Sequence, residues 1–354
     1  MFKRKLILSI FLLVQIILIN VISFFPDFVE RYYSNALYVP VSAFLRIVFG
    51  NLLFSVGDFL YAVVIILAIR WFYLKRKSWR VDWKINLLHI ISFFSVFYFF
   101  FHLLWAINYV RTPLSEKMNI ATEYTDAELL VFTKKLIAKT NAVHLGITSD
   151  KSKRAIVHYT QDQIFEMNIS GYRRLAKKYP FFRYEHASTK TSLFSLPLTY
   201  MGFSGYLNPF TNEAQVNSML PMHTFPATAA HEMAHQIGYA SESEANFVGF
   251  LATVENQDLN IKYSGYMMAL NYCLYNWKVR NEKIFDQLKK TVNPGVIANF
   301  KESQDFWESY QSFIEALFEV FYDNFLKVNK QEEGLDSYSR FVDLLVNYYK
   351  DKAL

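Results

Sequence analysis

Leu6 to Phe25 is an uncharged apolar run of about twenty residues, the length a helix needs to cross a hydrocarbon core ~30 Å thick. Lys3, Arg4 and Lys5 precede it. The run exceeds the apolar stretch of a cleavable signal peptide and lacks a small-residue cleavage site, so it reads as a retained span. A second run, Phe59 to Leu74, ends near Arg70, whose long side chain can reach the interface. A third, Leu87 to Ile107, contains His89 and His102, neither of which has a partner at metal-ligand spacing. Hydrophobic residues reach 53% and aromatics 18%, and the excess lies before residue 110. The expected organisation is a transmembrane region over 1–110 and a second, polar-faced domain over 111–354.

Charge placement orients the spans. Lys75, Arg76, Lys77, Arg80 and Lys84 lie between the second and third runs, whereas only Arg31 and Arg46 lie between the first and second. Lys and Arg favour the cytoplasmic side, so three crossings place everything after Tyr109 outside the cytoplasm of a cell-membrane protein. Val39 to Phe54 is also apolar but is interrupted by Pro40, Arg46, Gly50 and Asn51, and reads as an interfacial or re-entrant helix. The net charge of +6 is explained by this topology signal and not by a nucleic-acid surface, because the basic residues form no single long patch. With one cysteine, Cys273, there is no intrachain disulfide and no multi-cysteine zinc site.

Beyond Thr112 the apolar residues recur at helical periods. Thr125 with Glu128 is a capping box that opens a helix through about Thr140. Further helices are expected over Gln161–Lys178, Pro226–Ile237, Glu242–Val254, Ser264–Arg280, Ser303–Lys327 and Ser337–Tyr349. Between Ser188 and Leu220 the Gly-, Pro- and Asn-rich pattern predicts a small sheet, with Ala214–Leu220 as its clearest strand.

Residues 231–235 read His-Glu-Met-Ala-His. On a helix, positions i and i+4 share a face, so His231 and His235 can converge on one ion. Glu232, about 100° around the helix, is placed to reach a metal-bound water and not to ligate. Ala229, Ala230, Met233, Ala234 and Ile237 make the helix largely apolar, and two imidazoles and a carboxylate in such surroundings need partners. A hydrolytic zinc site takes three protein ligands and leaves the fourth position open. Glu242 and Glu244 are the candidates for the third. Ser241 and Glu244 can form a capping box, which leaves Glu242 as the favoured ligand and Asn246, one turn on, as a partner for a ligand histidine.

His231 to His235, followed by Glu242-Ser243-Glu244-Ala245-Asn246, resembles the zincin superfamily of metallopeptidases, above all its glutamate-ligand branch with Glu-x-x-Ala-Asp. That resemblance implies Zn2+ as cofactor, Glu242 as third ligand and Asn246 as the residue that orients a ligand histidine. Asn246 stands where that branch has Asp, and the gap between His235 and Glu242 is short, closer to the glycine turn of metzincins, whose third histidine is replaced here by Ser241. Over most of its length the chain also resembles an uncharacterised bacterial family of multi-pass membrane proteins with an HExxH motif. The similarity is carried by Phe54-Ser55-Val56-Gly57-Asp58, Gly205 to Thr211, Glu213-Ala214, His231 to Gln236, Glu244 to Phe247 and Gly334 to Tyr338.

The expected fold is therefore mainly α, with transmembrane helices followed by an α+β zincin-like domain containing a small sheet. The expected activity is metal-assisted hydrolysis of a peptide or protein substrate at the membrane, with Glu232 as general base. Tyr206, His223 and Tyr338 are candidate oxyanion or substrate contacts. The edge of strand Ala214–Leu220 is a candidate aligner of an extended peptide, an ordinary core strand being the alternative. A catalytically silent membrane adaptor or sensor with a structural metal is the rival function.

Overall fold

The computed structural model describes residues 2–331 and 338–354. The chain divides into two compact units: residues 1–112 together with 208–213, and residues 113–207 together with 214–354.

Three helices of the first unit are long and apolar enough to cross a membrane, α1 (Phe2–Ile22), α3 (Val56–Lys75) and α4 (Trp83–Leu104). Between them, α2 (Tyr38–Gly50) has thirteen residues, a length of ~20 Å that falls short of a hydrocarbon core. A nine-residue π-helical stretch, Val29–Leu37, leads into it. α1 packs on α4, where the Gln15 amide donates to Ser95 Oγ at 3.1 Å. Such a bond satisfies polar groups that lipid cannot.

Two of the sequence segments singled out above meet in this unit. Ser55 caps α3 by accepting the N–H of Asp58 at 2.9 Å. The Glu213 carboxylate accepts the N–H groups of Val56 at 3.2 Å and Gly57 at 2.5 Å, donors that a helix start leaves without an intrahelical partner. Arg46 Nη1 donates to Asn212 Oδ1 at 3.0 Å, and the Asn212 amide donates to Tyr38 Oη at 2.9 Å. Val56 is half-buried and the other residues of this network are buried.

The second unit is mainly helical around a three-stranded sheet. Its helices are α5 (Asp126–Thr148), α6 (Gln161–Lys178), α7 (Ser195–Tyr200), α8 (Phe225–Gln236), α9 (Glu242–Val254), α10 (Leu259–Arg280), α11 (Glu282–Lys289), α12 (Pro294–Tyr310), α13 (Phe313–Val328) and α14 (Tyr338–Tyr348). The Thr125–Glu128 capping box is present, but α5 runs on to Thr148 because Val143 and His144 continue its buried face. The stretch expected as one helix over Ser303–Lys327 is two, broken where Ser312 turns out of helical geometry and caps α13 by accepting the N–H of Ile314. Gly334 to Ser337 lie outside the described residues, and so does the side chain of Tyr338, which opens α14.

The strand order is β1 (Thr189–Thr191), β3 (Ala214–Val216), β2 (Gly205–Leu207), with β1 parallel and β2 antiparallel to β3. This corrects the expectation for Ala214–Leu220. The strand stops at Val216, where Asn217 Oδ1 accepts the N–H of Met219 in a turn. It is also the central strand, paired on both sides and fully buried, so it has no edge to offer a peptide.

The sheet packs against α8, and α6, α9 and α10 surround the rest of that helix. Small residues at Ala229, Ala230 and Ala234 allow this close approach, and all three are inaccessible to solvent. The neighbours also serve its backbone polar groups. Ser264 Oγ of α10 accepts the N–H of Ala227 at 3.0 Å, while Asn168 and Tyr172 of α6 donate to the carbonyls of Pro226 and Ala230. A buried helix start without a side-chain cap of its own is thereby satisfied from outside.

Candidate metal centre

α8 carries His231, Glu232 and His235, whose ligand atoms lie within 4.8 Å of one another. Glu232 and His235 are buried, and His231 is the partly exposed member. After Gln236 the chain reverses through Gly238, whose φ of +90° suits a residue without Cβ. Tyr239 N–H returns to the Ala234 carbonyl at 3.2 Å, closing the helix end. α9 then runs back along α8. At Gly249 the two backbones are so close that a Cβ would stand 2.8 Å from the His231 nitrogen and 3.0 Å from its Cα.

This return brings Glu242 to the histidines. Its Oε2 lies 3.3 Å from His231 Nε2 and its Oε1 lies 3.6 Å from His235 Nε2. Both rings are held from behind. His231 Nδ1 donates to Asn246 Oδ1 at 2.9 Å, and His235 Nδ1 donates to the Tyr239 carbonyl at 2.7 Å. A carbonyl only accepts, so His235 carries its proton on Nδ1 and a neutral ring turns the Nε2 lone pair toward Glu242. His231 is arranged alike. Two lone pairs and a carboxylate this close repel one another unless a cation or an added proton sits among them. The donor set, two imidazole nitrogens with carboxylate oxygen, fits zinc.

The electrostatics agree with that crowding. Burial would lower the His231 pKa, but Glu242 outweighs burial and raises it to about 9. Burial lowers His235 to about 4 despite the same carboxylate. Burial also opposes the charge on Glu242, yet the two imidazoles and a hydroxyl hold its carboxyl well below the usual range. Glu232 behaves oppositely: burial raises it to about 8, with His231 opposing and Glu242 assisting. Its Oε2 is buried without a protein hydrogen-bond partner. Its Oε1 lies against the backbone of β2, where a Cβ on Gly205 would come within 2.6 Å.

The remaining candidates are dispersed. Glu244 points away: its Oε1 accepts the N–H of Leu114 at 2.6 Å. The capping box expected with Ser241 does not form, since Ser241 makes no side-chain cap and its hydroxyl meets Ser243 Oγ at 3.0 Å. His223 is buried in another cluster, with Nε2 bonded to Ser303 Oγ at 2.8 Å and Nδ1 3.6 Å from Glu302. Its ring is taken up there, which removes the reason to count it an oxyanion donor. Tyr206 lies on β2 beside Gly205, opposite Gln215 of β3.

Sequence reasoning did not reach Tyr322 of α13, which donates to Glu242 Oε1 at 2.6 Å. No local signal marks it, because the two residues are eighty positions apart and the chain has 24 tyrosines. The close approaches at Gly205 and Gly249 were equally hidden.

A family model described as "Protein of unknown function (DUF3810)" matches residues 33–346. No curated protein and no solved structure matches the chain.

Proposed function

We propose that this chain, which belongs to the DUF3810 family, is a membrane-anchored zinc hydrolase, a metallopeptidase of zincin type. The observation that carries the reading is the convergence of His231 Nε2, His235 Nε2 and the Glu242 carboxylate, with both imidazoles fixed through Nδ1. These three side chains would hold the metal. Glu242 is preferred to Glu232 as third ligand because each of its oxygens faces one imidazole, while Glu232 turns one oxygen to the β2 backbone.

Zinc, when bound, supplies Lewis acidity that polarises a carbonyl and acidifies water toward ~7. The protein's own groups do the rest. Asn246 and the Tyr239 carbonyl keep the ring protons on Nδ1 and the lone pairs on Nε2. Glu232 takes the proton of the attacking water at Oε2, the oxygen without a protein partner, and returns it to the departing amine nitrogen as the C–N bond breaks. Burial of Glu232, which favours its neutral form, strengthens it as the acceptor of that proton. β2 is an edge strand of the sheet and touches Glu232 at Gly205, so an extended peptide pairing with it would pass beside the base. The basic residues between α3 and α4 favour an extracytoplasmic position for this site.

The test is zinc content and peptide cleavage by the full chain in detergent, for wild type, His231→Ala, Glu232→Gln and Glu242→Gln. One zinc per chain in wild type, kept in Glu232→Gln without cleavage and lost or weakened in the other two, supports the reading. Absence of zinc after chelator-free purification sinks it. Stoichiometric zinc with no cleavage of any peptide library favours the adaptor with a structural metal.

A further inference from the structure

Among the described residues, most of the exposed large apolar side chains of the second unit lie on two neighbouring elements. On α13, Phe313, Leu317, Val320, Phe321 and Val328 are each more than 60% exposed. Their spacing of i, i+4, i+7, i+8 and i+15 places them on one stripe. The opposite face of the helix is packed: the Phe203 ring meets Phe318 at 6.2 Å and Tyr322 at 5.1 Å, and Leu326 is fully buried. Glu319 and the Lys327–Asp323 ion pair form one edge of the exposed stripe. α7 adjoins the start of α13, with the Tyr200 ring 5.3 Å from Tyr310 and the Tyr200 carbonyl accepting from Ser312 Oγ. Leu196 and Tyr200, at i and i+4 on α7, are exposed, and so is Leu193 just before it.

An apolar stripe of this length is rare on a surface that stays in water. Chain connectivity says what is at hand to cover it. α4, the last helix long enough to span among the described residues, ends at Leu104, and the second unit starts at Pro113. Even fully extended, the intervening chain reaches only ~30 Å, so this unit never leaves the neighbourhood of a bilayer its own chain crosses. The stripe is built of Phe, Leu and Val around one exposed amide, Asn324, with an acidic edge and little Lys or Arg. Such a face enters a lipid surface by burying side chains and gains nothing from anionic headgroups.

We propose that the outer face of α13, continued by Leu193, Leu196 and Tyr200, seats in the surface of the lipid bilayer. The inference rests on the membrane attachment in the proposed function and is independent of the metal. Because the inner face of the same helix presents Tyr322 to Glu242, lipid contact and the candidate metal centre share one rigid element.

The full chain is reconstituted in phosphatidylcholine vesicles, with single cysteines carrying an environment-sensitive fluorophore. Leu317→Cys and Phe321→Cys report the stripe. Tyr275→Cys, exposed on α10, is the water-facing reference, and Ile66→Cys on α3 the lipid-facing one. Native Cys273 is buried and does not label. Doxyl-labelled lipid is expected to remove most of the fluorescence at 317, 321 and 66 and little at 275, with no change when phosphatidylserine is added. Labels at 317 and 321 that behave like 275 overturn the proposal while leaving the membrane attachment standing. Loss of signal that tracks the ratio of labelled to unlabelled chain, and not doxyl lipid, overturns it in favour of a second copy. A label at 66 that also escapes quenching removes the membrane attachment itself, and the proposal with it.

Discussion

Tyr322 Oη donates to Glu242 Oε1 at 2.6 Å, so a hydroxyl from the penultimate described helix fixes the carboxylate that faces both site histidines. A carboxylate held this way presents its oxygens in one orientation, and a partner behind a metal ligand typically changes affinity ~10–100-fold. Tyr322→Phe removes only the hydroxyl. Zinc affinity, measured by chelator competition, is expected to fall by about that factor while helix content is unchanged.

Gly205→Ala separates the proposed base from the proposed ligands. The added Cβ would come within 2.6 Å of Glu232 Oε1 and 2.7 Å of the Gln215 carbonyl, so the carboxylate must turn away. A displaced general base costs on the order of 100-fold or more in turnover. Peptide cleavage is expected to drop by that much, with zinc content equal to wild type. Loss of zinc in this variant would assign Glu232 a ligand's role.

Gly249→Ala acts on the proposed ligands instead. A Cβ there meets the backbone of His231 at 2.8–3.0 Å, which is a helix axis and not a flexible side chain. α9 must move off α8, taking Glu242 and Asn246 with it. Overpacking of this kind costs ~1–3 kcal/mol, so a lower Tm and weaker zinc retention are expected together in thermal unfolding with and without chelator.

Glu213→Gln should leave zinc untouched. Its carboxylate accepts two backbone N–H groups at the start of α3, both charge-assisted, and the residue is fully buried. Replacing the charge weakens two bonds of ~1.5–3 kcal/mol class without emptying the space. The expected result is a lower thermal midpoint of the solubilised chain and an unchanged zinc-to-protein ratio.

What the sequence by itself determined is what depends on local periodicity and on length. The helices long and apolar enough to span follow from apolar runs of sufficient length, although their ends shift by several residues because lipid-length runs carry few caps. The Thr125–Glu128 box and the Gly238 turn are written in short-range side-chain chemistry. His231 and His235 share a face for the same reason, since i and i+4 spacing is a property of one helix. The role of Glu244 was misjudged because a capping box is only a competitor for its carboxylate, and the Leu114 N–H, 130 residues away, won. Tertiary structure alone decided that β3 lies in the middle of its sheet, that His223 turns to Ser303, and that Tyr322 stands behind Glu242. Each of these is a contact between residues far apart in the chain, set by which faces the packed helices bury, and no spacing rule within a segment encodes it.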